Sequence, residues 1–313
     1  LPAALVVAET AAKAAVEAQD LAAFGTIAPG SEAAAAYSWA CAVTVGWLIT
    51  FTEKHGCWEW PTWRVVRDIV KPETAELRCR YADLPSVRAT GAVGGAKTFA
   101  SHTWGAKWGT LVSALADRGA DRSRRVWIDI FAIRQWPGNA ADLAFGGVVS
   151  RCKSFVVVCQ SVNLCNYNSE SMAHRGDAYL SRNEMFARRI DLVPPEVRKL
   201  IAFLRVWCLV ELFAAVEAKL VVVMKAGEMG KRRRRSSCRA FVPDQKMIKT
   251  MKNLIDIEKA ECMIQADYDR ELGKVRAAEG GTDGLNAAVR RMIDAGALSY
   301  DLPEVQAAAC GDE

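Results

Sequence analysis

Trp207-Cys208-Leu209-Val210-Glu211-Leu212 sets one carboxylate inside an otherwise apolar helical stretch, and the fold follows from what precedes it. Upstream, in order, come Phe99-Ala100-Ser101-His102-Thr103-Trp104-Gly105, Val126-Trp127-Ile128-Asp129-Ile130-Phe131 and Ser154-Phe155-Val156-Val157-Val158-Cys159. Short, nearly continuous apolar runs of this kind suit strands covered on both faces. The spacing predicts strands over 97–102, 125–131, 155–159 and 220–224, with helices over 108–118 and 204–219 between them. Strand, helix and strand in alternation argue for a parallel sheet with right-handed crossovers.

Around this centre the chain divides by its breakers. Pro29-Gly30-Ser31 interrupts an Ala-rich N-terminal helical stretch, and Ser31 is a cap for the helix that follows. Gly91-Ala92-Val93-Gly94-Gly95 is a linker by composition. We therefore expect a helical region over 1–90, an α/β domain over 91–226 with an insertion at 161–200, a basic loop over 227–243, and a C-terminal helical region over 244–313. Within the first region, Thr62 to Val70 suits a short helix ending before Pro72, and Trp58, Trp60 and Trp63 suit packing. In the last, helices are expected over 246–274 and 285–295, separated by Gly280-Gly281.

The chain has 313 residues, 51% hydrophobic and 25% charged, which is an ordinary globular balance with cores of useful size. Its net charge of +5 is matched by the single run Lys231-Arg232-Arg233-Arg234-Arg235. The remainder is near neutral, so no general nucleic-acid surface is implied. Ten cysteines occur singly, without a C-x-x-C pair, which suits reduced thiols; with three histidines and no ligand spacing, no metal site is expected. A cytoplasmic location follows as an expectation, with 231–235 also resembling a nuclear import signal. The uncharged stretch 33–52 is expected as a buried core helix in preference to a membrane span.

In an open α/β sheet, ligands bind beyond the carboxyl ends of the strands, where strand order reverses. That places Ser101, His102, Thr103, Trp104 and Gly105, then Asp129, Arg134, Gln135, Trp136, Pro137, Gly138 and Asn139, on one edge, with Glu211 brought alongside by its helix. Neither a P-loop nor a glycine-rich dinucleotide fingerprint is present, which argues against a conventional ATPase or dehydrogenase.

The three segments and W-C-L-V-E-L, in this order over 97–226, resemble the TIR domain. The wider context, T-W-R-V-V-R-D-I-V-K-P-E-T-A at 62–75, S-H-T-W-G at 101–105 and I-R-Q-W-P-G-N at 133–139, is similar to a group of TIR-like proteins of green algae. The resemblance implies a flavodoxin-like doubly wound parallel sheet carrying N- and C-terminal helical extensions. It also implies an NAD glycohydrolase, acting in signalling or defence, that cleaves the nicotinamide–ribose bond, with NAD as substrate and no cofactor. Glu211 maps onto the family's catalytic glutamate. Ser101, His102, Trp104, Asp129, Arg134, Gln135 and Trp136 take substrate-binding positions, and the 132–145 loop takes the place of the one through which the family self-associates.

Two departures from the family bear on the substrate: His102-Thr103-Trp104 replaces its usual basic or glycine residues, and the 161–200 insertion separates third strand from helix. The alternatives are a non-catalytic self-association scaffold, with Glu211 structural and the cleft filled, or a nucleotide-sensing domain that binds without hydrolysis. By residue type alone, Asp129 suits orienting its loop, Trp104 and Trp136 suit packing, and His102 suits a satisfied turn residue.

Overall fold

The computed structural model describes residues 31–117, 120–137, 139–143, 145–162, 195–232, 238–244, 247, 252 and 255–299. It contains one seven-stranded mixed sheet of β1 (Ala42–Thr44), β2 (Val93–Gly94), β3 (Thr98–His102), β4 (Arg125–Trp127), β5 (Ser154–Gln160), β6 (Val221–Arg232) and β7 (Arg239–Pro243). The order across the sheet is β2-β1-β4-β3-β5-β6-β7. The four central strands are parallel, and β1, β2 and β7 add antiparallel edges.

Residues alternate between the two faces of the parallel strands, as the pleat requires. On one face Phe99 stacks on Trp127 at 4.5 Å and on Phe155 at 5.2 Å, three rings in register across β4, β3 and β5. That face is covered by α6 (Phe145–Val149), α7 (Val206–Glu217) and α9 (Gly281–Ser299), the last supplying Leu285, Val289 and Ile293. The other face presents Ala100, Val126, Val156, Val158 and Val223 to α2 (Val45–His55) and α4 (Trp108–Leu115). Helices on both faces exclude water from most of the central sheet, which is why β5 is apolar from Phe155 to Cys159. The chain is an α/β protein.

Several boundaries differ from expectation. The stretch 33–52 is broken into α1 (Glu32–Trp39), β1 and α2: Ser31 caps α1 by accepting from the Ala34 N–H, and Thr44 caps α2 by accepting from the Trp47 N–H. Among the described residues no helix is long and apolar enough to cross a membrane. Because β1 pairs with β2 and β4, the chain before residue 91 enters the same sheet through Ala42–Thr44, and within the glycine-rich 91–95 Val93–Gly94 is an edge strand in place of a linker. Its composition follows from crowding: a Cβ at Gly95 would run into the Trp39 ring.

The helix beginning at Thr62, α3 (Thr62–Val65), continues past the expected stop at Pro72 through a π turn over Val66–Val70 to Glu73. Proline supplies no N–H and crowds the preceding turn, and the widened turn, with Lys71 N–H reaching Val66 O, accommodates it. The second parallel strand ends at Trp127, and α5 (Asp129–Ala132) takes over the rest of that apolar run. Periodicity cannot separate strand from helix in so short a segment.

Strand β6 runs to Arg232 and returns as β7, so 227–243 is a hairpin whose tip lies outside the described residues. The C-terminal part has α8 (Gln265–Ala277) preceded by irregular chain from 255, with one 3-10 turn at Ile257–Lys259. The expected helix at 2–23, most of the 161–200 insertion and the run at 233–235 lie outside the described residues. Among the described residues Cys41, Cys57, Cys79, Cys152, Cys159, Cys208 and Cys262 are free thiols.

Candidate active site

Three segments converge at the carboxyl ends of the parallel strands. The first follows β3, where the His102 ring Nε2 lies 3.1 Å from Thr62 Oγ1 and Trp63 N–H donates to Trp104 O, tying the turn to the start of α3. Gly105 is required there, since a Cβ would meet the Lys199 carbonyl. The second follows β4. Asp129 Oδ2 accepts from Trp104 Nε1 at 2.6 Å and Oδ1 from the Ile130 N–H at 2.8 Å, while Gln135 Nε2 donates to the carbonyls of Asp129 and Ile133.

The third is α7. Its buried face carries Cys208, Leu209, Glu211, Leu212 and Ala215, so helical spacing turns the one carboxyl of the first two turns inward. Ser101 Oγ donates to Glu211 Oε2 at 2.5 Å. Ahead of α7, the chain at Arg205 bridges to Glu261, with Val206 N–H donating to Glu261 O and Glu261 N–H to Leu204 O. This bridge carries Cys262, Met263 and Ile264 to the rim.

The space enclosed is a cleft of about 230 Å³. His102, Trp104, Asp129, Gln135, Arg205, Trp207, Cys208, Glu211 and Asp267 contribute its polar and aromatic lining, and Ile133, Phe145, Met263 and Ile264 its apolar part. The crossover after β3 lies on one face of the sheet and those after β4 and β5 on the other, so the cleft opens where strand order reverses.

Burial pushes the Glu211 carboxyl up to about 8; the Ser101 hydroxyl opposes this and the neighbouring Asp129 charge adds to it. Burial likewise raises Asp129 to about 6 against the stabilising Trp104 and Ile130 N–H donors. Neither carboxyl is ion-paired among the described residues. Burial pushes the His102 imidazole down to about 3 and holds it neutral, and it raises the Cys208 thiol far above its usual range. No group of three or more His, Cys, Asp or Glu among the described residues is placed to hold a metal ion.

Of the residues picked from sequence, Glu211, His102, Trp104, Asp129 and Gln135 line this one cleft, and Ser101 tethers Glu211 from behind. Arg134 and Trp136 do not join them. Arg134 is 3% exposed and its Nε donates to Asp142 Oδ2 at 2.9 Å, in a buried cluster where Arg80 also pairs with Asp142. Trp136 Nε1 donates to Thr74 Oγ1, with Lys71 and Arg78 over its ring. In the 132–145 loop Ile133, Arg134, Asp142 and Phe145 are buried in the chain's own core and Pro137 is exposed.

Sequence reasoning passed over Trp207, although it lies one helical turn before Glu211 and so shares its side of α7. It also passed over Arg205 and Asp267. Nothing local marks 261–267 as a wall, because that role depends on the bridge from Glu261 to Arg205. Fold and site together define an α/β protein with a buried carboxyl, Glu211, and a half-buried one, Asp129, in one cleft beyond its parallel strands. No family model, curated protein or solved structure matches the chain.

Proposed function

We propose that this protein is a TIR-type NAD glycohydrolase, with the flavodoxin-like arrangement in which four parallel strands run 2-1-3-4 in chain order. The observation that carries the reading is Glu211: a carboxyl buried against Ser101, without a cationic partner among the described residues, yet facing an open cleft. A carboxyl without a cationic partner in such a cleft favours a ligand group that brings its own positive charge. The pyridinium ring of NAD is flat and cationic, and Trp104 and Trp207 both line the cleft, where aromatic faces attract cations.

The chemistry needs little else. The bond from C1′ to the ring nitrogen breaks with its electron pair going to the ring, which leaves as neutral nicotinamide. Water adds to C1′ and releases one proton. The ribose passes through an oxocarbenium-like state, and a carboxylate held at fixed geometry in a water-poor site stabilises that charge. Glu211 supplies this carboxylate once the cationic substrate has displaced its proton, so binding and ionisation are coupled. The scaffold alternative calls for a filled cleft, and among the described residues this one is open. Chromatographic detection of nicotinamide and ADP-ribose tests the proposal: both should accumulate with the native chain and not with Glu211→Gln.

A further inference from the structure

We infer that Asp129 is a second reacting carboxyl of this cleft, taking the proton of the water that attacks C1′ while Glu211 faces the ribosyl cation. This rests on the glycohydrolase reading and adds a residue and a role to it. Asp129 and Glu211 follow the two strands that flank β3, one in the turn after β4 and the other on the helix after β5, and both line the cleft.

Their hydrogen bonding differs in kind. Asp129 receives one N–H on each oxygen, from Trp104 at 2.6 Å and from Ile130 at 2.8 Å, which fixes its plane and favours the anion. An ionised carboxylate has about four acceptor sites, so two remain for a water. Glu211 receives a single hydroxyl. Two N–H donors against one hydroxyl make Asp129 the carboxyl of the pair that ionises more readily.

Of the five remaining titratable groups of the lining one is the Cys262 thiol, and the other four are occupied. His102 is buried and its Nε2 contacts Thr62, the Cys208 thiol lies against the His102 carbonyl, Arg205 pairs with Glu261, and Asp267 pairs with Arg270. Asp129 is the lining group with both the ionisation and the open acceptor sites of a base. Trp104 is then a positioning residue, acting through its N–H.

Water and a pyridine base separate this role from a structural one, because a pyridine nitrogen attacks C1′ without a proton to lose. With NAD and 3-acetylpyridine, Asp129→Asn should lose hydrolysis by about 100-fold or more while base exchange stays within about threefold of the native chain. Glu211→Gln should lose both reactions together. Trp104→Phe, which keeps the ring and removes the donor, should move the acid limb of kcat for hydrolysis, where bound substrate has already displaced the Glu211 proton, to higher pH without moving that of exchange. Equal loss of both reactions in Asp129→Asn with a native melting curve, or no loss of either, would overturn the assignment. If Asp129→Asn does not fold, an unmoved acid limb in Trp104→Phe overturns it instead. A native chain that performs neither reaction would remove the glycohydrolase reading, and this assignment with it.

Discussion

The Ser101 hydroxyl donates to Glu211 Oε2 at 2.5 Å, joining the first parallel strand to the second turn of α7 across 110 residues of chain. Among the described residues this is the polar contact that orients the Glu211 carboxyl, and it favours the ionised form against burial. Ser101→Ala should therefore raise the Glu211 pKa further and shift the rise of NAD cleavage to higher pH by about one unit, with a stability cost of about 1 kcal/mol. A pH profile of kcat/KM identical to that of the native chain would contradict this.

Two carboxyls raised by burial make the fold less stable as pH rises. Each binds its proton more tightly folded than unfolded, so its contribution is complete below the unfolded value and is lost through the folded one. For Glu211 the window runs from 4.5 to about 8, and for Asp129 from 3.8 to about 6. The slope per group is at most about 1.4 kcal/mol per pH unit. Glu211→Gln should thus gain in Tm relative to the native chain between pH 5 and pH 8.5, measured by calorimetry.

Arg134, expected from sequence at the substrate, instead shares the buried Asp142 with Arg80. Removing one member strands the others in a low-dielectric interior. Asp142→Ala is expected to cost about 3–5 kcal/mol of unfolding free energy in urea titration. By the same placement, any effect of Arg134→Ala on NAD turnover should track its loss of folded protein, with KM unchanged in the folded fraction.

Trp207 forms one wall of the cleft, held edge-on by Phe145 at 5.3 Å and overlain by Arg270. Trp207→Ala should raise KM for NAD about tenfold, the equivalent of losing one cation–aromatic contact of 1–2 kcal/mol, with a smaller change in kcat. Initial rates over a range of NAD concentrations separate the two.

The centre of this architecture is written plainly in the sequence, because strands buried on both faces must be apolar along their length. Phe155 to Cys159 and the helix around Glu211 fall where the pattern places them. The edges are not, since β1 and β2 are short and exist only through pairing with each other and with β4. A similar limit governs the site. Glu211 stands out as a carboxyl among apolar neighbours, and strand order carries Asp129 to the same edge. The inward turn of Arg134 depends on Asp142 and Arg80, and the wall at 262–264 depends on a bridge between residues 56 positions apart. No local pattern encodes either.

The most direct test is release of nicotinamide by the purified protein at high concentration, comparing NAD with NADH and the native chain with Glu211→Gln. NADH carries the same ribose and phosphates but an uncharged ring. The account predicts release from NAD by the native chain alone, with none from NADH and none from the variant. Equal release by native chain and Glu211→Gln, or no release by the native chain, would contradict it.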